Sequence, residues 1–417
     1  MDRRDFLVKS TVIGLSLATG CGRSLGHRQQ KDAAVRMLTS GSQNHFFGYY
    51  GINPWNRDKT YVLSLEAPFN NRLPNPGEKA AIGLVDMKTG AFNRITETNA
   101  WNLQQGCMLH WNPLNPNTEF YFNDVSDGRL VSVRFDIRTG NRTIVADTIS
   151  GLSKDGKSAV HVNYGRISRL RKVVSYSGTS DPNPDVAYPE DDGVFIIDLL
   201  TGQKRLAVSY KQMADDILTY HPEIDGRHMW VEHADINRDG TRFLFLPRTW
   251  NKDASKLETG LYTVGLDGTG MRRLIPYGSS VSHFGWRNQN ELIATFNYPA
   301  DSRSHVFLAD TADRVQFQPV EPFQWDGHCS FSLDGKWLLT DGSKDKKQMT
   351  NSVWLYGMET GQHRKLATMQ MLEERFLKGD ARCDLHPRFS DDNSMVCVDG
   401  IDPKSGNRQI FIIETGI

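Results

Sequence analysis

Apolar and polar positions along the chain fall into two phrases that each recur seven times. The first is a β-rich run that ends in Asp-x-x-Thr-Gly or a relative of it, which is hairpin-turn chemistry with glycine at the positive-φ position. Its copies occupy residues 84–90, 134–140, 196–202, 263–270, 305–313, 355–361 and 411–416. The second is a tight turn followed by an alternating strand. Its copies occupy residues 53–63, 112–122, 153–162, 237–246, 287–296, 332–340 and 390–398.

Two hairpin turns per repeat predict four strands per repeat, and four-stranded repeats of about 40 to 50 residues are typical of β-propellers. We therefore predict an all-β fold, a seven-bladed β-propeller of four-stranded antiparallel blades, over residues 34–417. The last repeat stops right after its turn, and residues 34–39 are similar to the outer strands of other repeats. The N-terminal strand is expected to complete the last blade and remove an exposed edge. Two β-sandwiches are the alternative, but they do not account for seven paired turn phrases.

The N-terminal residues indicate export rather than fold. A pair of arginines precedes a short apolar stretch at 11–19, as in twin-arginine signals, and Cys21 stands where a lipoprotein signal places its lipidated cysteine. We predict a twin-arginine/lipoprotein-type signal over 1–21 and a polar tether over 22–33. The protein is then periplasmic, or an outer-membrane or cell-surface lipoprotein. A simple signal peptide cleaved nearby is the alternative.

Composition limits the partners. Lys+Arg and Asp+Glu both number 49, so no bulk charge attracts nucleic acid or an anionic membrane. An acidic ligand must be bound by local groups, and membrane contact is expected only through a lipid anchor at Cys21. The remaining cysteines show no disulfide-framework spacing, and so long a chain does not need one. We expect a monomer.

A histidine recurs in one register of four consecutive repeats, three residues ahead of a large apolar residue and just before the second phrase. These are His233, His283, His328 and His386. The chain enters the innermost strand of a blade at this point, so equal register predicts imidazoles around one mouth of the channel. Imidazole is the commonest metal ligand at neutral pH, and we predict a site for Mn²⁺ or Zn²⁺ built from His283, His328, His386 and Asp384. The alternative is a structural histidine that the repeats share by descent.

The first three repeats carry a different set of residues, in the segments HFFGYYG, WNLQQGCMLHW and HVNYGRISRLR. Aromatic rings together with amides and arginines suit sugar stacking and carboxylate recognition. The candidate substrate-binding residues are His45, Tyr49, Trp101, Asn102, Gln105 and Asn163. The alternative for any one of them is ordinary, because aromatic side chains also fill propeller cores.

The in-register histidine phrases resemble those of the oligogalacturonate lyases, seven-bladed propellers that cleave short pectic uronides. The resemblance covers the repeat plan of residues 35–417, with the specific motifs in the last four blades. It implies that His283 and His386 are metal ligands. It gives less support to His328 and Asp384, because the family prefers another histidine and a glutamine nearby.

The chain also departs from that family. The family's proton-abstracting histidine lies on the strand after the His233-type phrase, but here this strand reads FLFLPRTW, with Arg248 and no histidine. The early clusters are more similar to the ulvan lyases, propellers that use His with Tyr and Arg. TolB-type periplasmic propellers share the turn phrases.

These resemblances imply a carbon–oxygen lyase that cleaves a uronate-containing glycan, an oligogalacturonide or an ulvan-like chain, by metal- or Arg-assisted β-elimination. The implied roles are a base at His110 or His233, an acid at Tyr164 and a carboxylate clamp at Arg166 or Arg248. The expected partner is an acidic oligosaccharide. Two alternatives stay open: a non-catalytic TolB-like propeller that binds glycan or protein partners, and a decayed lyase that keeps its metal for structure.

Overall fold

The structure is a computed structural model that describes residues 33–417. Their strands form seven antiparallel sheets, which make a seven-bladed β-propeller as predicted. Six of these sheets have four strands, and the fourth blade carries a fifth, short strand that pairs with one of its inner strands. The predicted signal and nearly all of the predicted tether lie outside the described residues.

The strands follow the chain blade by blade, except that the first one, β1 (Val35–Met37), belongs to the last blade. Blades 1 and 2 contain β2 (Asn44–Phe46), β3 (Tyr61–Ala67), β4 (Ala80–Asp86) and β5 (Phe92–Thr98), then β6 (His110–Trp111), β7 (Glu119–Ser126), β8 (Arg129–Asp136) and β9 (Arg142–Ala146). Blades 3 and 4 contain β10 (Gly151–Leu152), β11 (Ser158–Val162), β12 (Gly193–Asp198) and β13 (Lys204–Ser209), then β14 (Trp230–Ile236), β15 (Arg242–Trp250), β16 (Leu257–Thr259), β17 (Leu261–Gly265) and β18 (Arg272–Ile275).

The last three blades carry the remaining strands. Blades 5 and 6 contain β19 (Phe284–Trp286), β20 (Glu291–Asn297), β21 (Arg303–Ala309) and β22 (Gln318–Pro319), then β23 (Cys329–Phe331), β24 (Trp337–Thr340), β25 (Thr350–Gly357) and β26 (His363–Gln370). Blade 7 contains β27 (Arg388–Phe389), β28 (Met395–Ile401) and β29 (Arg408–Glu414), and β1 as its outer strand.

The N-terminal strand closes the ring, as the sequence predicts. β1 pairs antiparallel with β29, with Val35 opposite Ile413 and Met37 opposite Phe411. The last blade therefore combines one strand from the start of the described chain with three from its end, which covers an edge that would otherwise be open.

The Asp-x-x-Thr-Gly phrase owes its recurrence to turn geometry. In blade 1, Oδ1 of Asp86 accepts hydrogen bonds from the backbone amides of Lys88 and Thr89 and from the Thr89 hydroxyl. Gly90 follows at φ +74°, where a Cβ would also lie 2.1 Å from the carbonyl oxygen of Leu38. The aspartate thus fixes the turn, and only glycine fits its last position.

Two helices interrupt the strand pattern near blades 3 and 4. Helix α1 (Tyr164–Leu170) lies between β11 and β12, and α2 (Tyr210–Leu218) lies between β13 and β14. Ser209 and Gln212 form a capping box at the start of α2. No helix of residues 33–417 is both long and apolar enough to cross a membrane. The apolar faces of both helices join the core shared by these two blades.

Candidate functional site

Four consecutive blades bring a histidine to one end of the central channel. His233 lies within β14, whereas His283, His328 and His386 each lie one or two residues before the innermost strand of their blade. All four line one cavity of ≈ 370 Å³. The four histidines that share a register in the sequence therefore meet at one cavity in the structure.

Three of these imidazoles form a row in which His328 contacts both His283 and His386. The ring centroids of His283 and His328 are 3.9 Å apart, and those of His328 and His386 are 4.2 Å apart. Nε2 of His328 lies 3.1 Å from Nε2 of His386. The potential ligand atoms of His328, Asp384 and His386 all lie within 4.8 Å of one another. We call His283, His328, Asp384 and His386 the histidine cluster.

Carboxylates behind the cluster orient two of its rings. Nδ1 of His328 lies 2.8 Å from Oδ1 of Asp341, and Nδ1 of His283 lies 3.0 Å from Oδ1 of Asp326. Burial opposes the charge of Asp341, but His328 outweighs it and lowers the pKa of that carboxyl. An ionised carboxylate only accepts hydrogen bonds, so Nδ1 of His328 donates to it and Nε2 faces His386. Such pairs commonly support metal-binding imidazoles.

The donor set fits a divalent cation. Two imidazole nitrogens that are each about 2.1 Å from one ion lie roughly 3 Å apart when the ligands are at right angles, and His328 and His386 show this separation. Burial lowers the pKa of His386 well below its ordinary value and that of His283 to about 4, so both rings are neutral at neutral pH. Nδ1 of His386 is buried and has no hydrogen-bond partner in the described part of the chain.

Asp384 is the acidic member of the cluster. Nζ of Lys344 lies 3.0 Å from one of its oxygens, and Nε of Arg382 lies 2.6 Å from the other. Burial opposes its charge, but these two cations hold the pKa of Asp384 well below the usual range. The carboxylate is therefore ionised and fixed beside the imidazoles.

The fourth imidazole, His233, stands apart from the cluster on a β-bulge. The pairing of β14 with β15 shifts register between Val231 and Ala234, and bulges re-aim side chains. Glu232 and His233 consequently both line the cavity, although they are adjacent in a strand. Nε2 of His233 lies 3.3 Å from Oε1 of Glu232, and Nδ1 lies 3.0 Å from the hydroxyl oxygen of Tyr49.

Two arginines hold Glu232. A guanidinium nitrogen of Arg248 lies 2.6 Å from Oε1, and one of Arg171 lies 3.4 Å from Oε2. Burial opposes the charge of Glu232, but the guanidiniums hold its pKa well below the usual range. Burial lowers the pKa of His233 although Glu232 acts in the opposite direction. The pair is thus a carboxylate beside a neutral imidazole, which is the state that a general base requires.

The charges that line the cavity balance. Four side chains are cationic and four are acidic, namely Arg171, Arg248, Lys344 and Arg382 against Glu232, Asp326, Asp341 and Asp384. With neutral imidazoles the lining is close to neutral, and a divalent cation would make it positive. A concave site of that sign attracts acidic ligands.

Eight of the residues singled out from the sequence meet in this cavity: Tyr49, Gln105, His233, Arg248, His283, His328, Asp384 and His386. Nε2 of Gln105 lies 3.5 Å from Nδ1 of His233, and its Oε1 has no hydrogen-bond partner within residues 33–417. Arg248 faces the cavity, but its guanidinium is paired with Glu232. It therefore positions that carboxylate and does not stand free as the predicted clamp.

His110 lies outside this site, and its place gives no support to the predicted role as a base. It lines a second cavity on the other side of Tyr49 and Tyr50. When the phrases are aligned on their turns, His110 stands two residues nearer the turn than His283 does. Two residues along a strand are about 6.6 Å, enough to place the ring beyond the two tyrosines.

The segment HVNYGR folds into the start of α1, and its polar residues hold that helix in place. Oδ1 of Asn163 caps the helix by accepting the backbone N–H of Arg166. The Arg166 guanidinium is fully buried, pairs with Asp181 and donates to four backbone carbonyls. Tyr164 is 1% exposed and stacks on Tyr176. These internal contacts do not support the predicted acid at Tyr164, clamp at Arg166 and substrate contact at Asn163.

Three candidates from the first repeats are also structural. His45 lies between Gln409 and Glu66, 3.1 Å from each. Trp101 is fully buried, with its indole N–H donating to a backbone carbonyl. Oδ1 of Asn102 accepts two backbone amides of its own loop, including that of Gln105. Their burial does not support the predicted contacts with substrate, although Asn102 fixes the loop that carries Gln105.

Sequence reasoning missed the residues that support the imidazoles: Glu232, Asp326, Asp341, Arg171, Lys344 and Arg382. Apart from Glu232, these come from loops and strand ends that follow no repeat register. Glu232 carries a usable signal, because it stands inside a strand directly before an in-register histidine.

Comparisons with known proteins show the same fold. The chain is similar to the structure of an oligogalacturonate lyase in complex with manganese, with a TM-score of 0.65, 16% identity, and 92% of this chain and 94% of that chain covered. It is similar to an oligogalacturonate lyase from Vibrio parahaemolyticus, with a TM-score of 0.61, 14% identity, and coverage of 93% and 94%. TolB from Acinetobacter baumannii aligns with a TM-score of 0.42, 12% identity, and coverage of 85% and 80%. No protein-family model and no curated protein sequence matches the chain. At such identities the likeness shows the propeller fold, and function must be argued from the site.

Proposed function

We propose that this protein is a metal-dependent lyase that cleaves a uronate-containing oligosaccharide by β-elimination. One observation carries this: a single cavity holds a histidine cluster suited to a divalent cation and, apart from it, a neutral imidazole backed by an ionised carboxylate. The likeness to an oligogalacturonate lyase in complex with manganese supports it. We propose an oligogalacturonide or an ulvan-like chain as the substrate.

The histidine cluster would hold the metal, Mn²⁺ or Zn²⁺. His328 and His386 supply the central pair of nitrogens, with His283 beside them and Asp384 as the acidic donor. When bound, the ion supplies Lewis-acid stabilisation of the charge that develops on the uronate carboxylate during loss of the C5 proton.

His233 belongs to the proton-transfer machinery. Its imidazole is neutral, and the imidazolium formed on taking up a proton would be stabilised by Glu232 at 3.3 Å. The resemblance to the oligogalacturonate lyases implies a histidine base on the strand where this chain has Arg248. Here β14 pairs with β15, so the imidazole reaches the cavity from the neighbouring strand, and Arg248 secures its carboxylate.

Arg171 is the cation best placed to bind a second carboxylate of the substrate. Arg248 is committed to Glu232, and Lys344 and Arg382 are committed to Asp384. Arg171 is held less tightly, because its Nη1 lies 3.4 Å from Glu232 as an ion pair and makes no hydrogen bond to any described residue. A guanidinium with unused donors suits a planar carboxylate.

Export of the folded protein and a lipid anchor at Cys21 belong to the same proposal, together with a monomeric state. Fractionation of cells that express the full chain tests the location. Replacement of Arg3 and Arg4 by lysine should retain the protein in the cytoplasm, and Cys21→Ala should release it from the membrane fraction.

The decisive experiment measures formation of unsaturated uronate by its ultraviolet absorbance. Metal-free protein would be supplied with Mn²⁺ or Zn²⁺ and given pectic, ulvan and glucuronan oligomers. His386→Ala should abolish metal binding and product formation together, whereas His110→Ala, in the opposite cavity, should leave both unchanged. A protein that binds its metal and releases no unsaturated product from any of these oligomers would be a binding module, and the lyase function would be ruled out.

A further inference from the structure

Tyr49, His233 and Glu232 form a row along one wall of the cavity, in which the Tyr49 hydroxyl is hydrogen-bonded to His233 and His233 lies within ion-pair distance of Glu232. Glu232 is ionised and can only accept, so Nε2 of His233 carries the proton that faces it. Nδ1 is then left as the acceptor for the Tyr49 hydroxyl at 3.0 Å. Both nitrogens of His233 are occupied within the row, so the imidazole has none free for a substrate.

Tyr49 is the most accessible member of this row. Glu232 is 2% exposed and His233 is 8% exposed, whereas Tyr49 is half-buried and borders the cavity. On this geometry, and resting on the proposed lyase function, we infer that the phenol oxygen of Tyr49 is the group that exchanges protons with the substrate. His233 and Glu232 then act through Tyr49 as positioning and proton-storing residues.

The backbone around Tyr49 is fixed by buried charges. The amides of Phe47 and Gly48 donate to the two oxygens of Asp399, each at 3.0 Å. Arg388 pairs with Asp399 and also donates to the carbonyl oxygen of Tyr49. Because this backbone is held on both sides of Tyr49, its phenol is preorganised, as a group that transfers protons needs to be.

Tyr50 places the row next to the histidine cluster. The rings of Tyr49 and Tyr50 are 4.8 Å apart, and the Tyr50 ring lies 4.9 Å from that of His328 and 6.0 Å from that of His386. One tyrosine ring therefore separates the cluster from the phenol of Tyr49. A sugar whose carboxylate meets the cluster can present the adjacent C5–H bond to that phenol.

The elimination step balances within this row. The C5–H bond breaks and its proton goes to the Tyr49 oxygen, while the proton of Tyr49 moves to Nδ1 of His233. The C5–H electron pair becomes the C4–C5 double bond, and the C4–O4 bond breaks with its pair on the leaving oxygen. That oxygen takes the proton from Tyr49, and His233 returns its own proton to the phenolate. Glu232 stabilises the transient imidazolium, and the row ends in its starting state.

Tyr49→Phe tests this role because it removes one oxygen and keeps the ring. In the metal-loaded protein we expect kcat to fall by about 10²–10⁴-fold, the range of general acid–base contributions, with metal content and KM unchanged. The pH dependence of kcat should lose the ionisation that the row of Tyr49, His233 and Glu232 contributes. Tyr164→Phe is the matched control, since that hydroxyl has no hydrogen-bond partner within residues 33–417, and it should keep the wild-type rate.

Two further outcomes separate this inference from the lyase function itself. Wild-type protein that cleaves no uronide rules out the lyase function, and the role of Tyr49 with it. Wild-type protein that cleaves, together with Tyr49→Phe that retains a rate within tenfold of it, rules out the role of Tyr49 alone. The ¹⁵N resonance of His233 Nδ1 in Zn²⁺-loaded protein should shift in Tyr49→Phe, and an unchanged resonance would show that the hydrogen bond is absent.

Discussion

Side chains in the cavity differ in how much of their hydrogen-bonding capacity is used within the protein. Nδ1 of His386 is buried and makes no hydrogen bond to a described residue, and Nη1 of Arg171 has only an ion-pair contact with Glu232, whereas the Asp341 carboxylate accepts three hydrogen bonds. Groups of the first kind can meet a ligand directly. Groups of the second kind act through a neighbour, so substituting them should change affinity without removing a ligand atom.

Asp341→Asn tests such an indirect role. One carboxylate oxygen faces Nδ1 of His328 and the other accepts the backbone amide of His386, so an amide would weaken the orientation of both rings. We expect metal affinity to fall by about 10–100-fold, the usual effect of losing an outer-shell partner. Competition with a chelator measures this. Asp391→Asn, an exposed acid at the opposite cavity, should leave the affinity unchanged.

The buried histidine of blade 5 predicts a pH dependence of stability. His305 is fully buried, with Nδ1 3.1 Å from the carbonyl oxygen of Phe323 and Nε2 2.6 Å from the hydroxyl of Thr340. Burial lowers the pKa of His305 from 6.5 to about 4. Between these values the unfolded chain binds a proton that the folded protein does not, so stability falls as the pH falls and then levels off below about 4.

The expected loss from this one group is about 3 kcal/mol across that interval. Chemical unfolding of wild type and His305→Asn at pH 7, 5.5 and 4.5 measures it. The wild-type advantage should shrink as the pH falls, because the variant has no imidazole to protonate at this position. Parallel curves for the two proteins would contradict the assignment.

At the scale of elements, helix α1 carries two arginines that share one carboxylate and differ in burial. Arg166 and Arg169 both pair with Asp181, but the side chain of Arg166 is fully buried and that of Arg169 is 31% exposed. Removal of a buried partner leaves an uncompensated charge, so Arg166→Met should cost about 3–5 kcal/mol of unfolding free energy. Arg169→Met should cost about 1 kcal/mol or less. Denaturant melts measure both, and metal content should stay at the wild-type level in each folded variant.

Elements also set how far the sequence could predict the site. The blades and the four-histidine register were predictable because turn chemistry and strand alternation repeat at fixed spacing. The bulge that turns Glu232 and His233 to the same side was not, since one shifted pairing between β14 and β15 leaves no periodic trace. The helix after β11 likewise converts Tyr164 and Arg166 from strand residues facing the channel into core residues. The local sequence pattern therefore predicted which blades contribute functional residues. Insertions and bulges decided which of those side chains reach the cavity.

For the whole molecule, ring closure holds the site together. Tyr49 and Tyr50 come from blade 1 and His386 from blade 7, and these blades meet where β1 completes the last sheet. The Arg388–Asp399 pair of blade 7 also holds the backbone of Tyr49. Loosening of β1 should therefore disturb the site at the channel axis as well as the outer edge of blade 7.

Proline substitutions in β1 test this coupling. The backbone amide of Glu414 donates to the carbonyl oxygen of Ala34, and that of Leu38 donates to the carbonyl oxygen of Ile410. Because hydrogen bonds alternate along an antiparallel ladder, the amide of Arg36 also points toward β29. Arg36→Pro removes that donor and should cost about 1–3 kcal/mol. Val35→Pro is the matched control, because its amide points away from β29 and its loss should cost little. If closure supports the site, Arg36→Pro should also weaken metal binding, measured by chelator competition below the unfolding temperature, while Val35→Pro should not. Equal metal affinity in both variants would show that the seven blades hold the axis without help from the N-terminal strand.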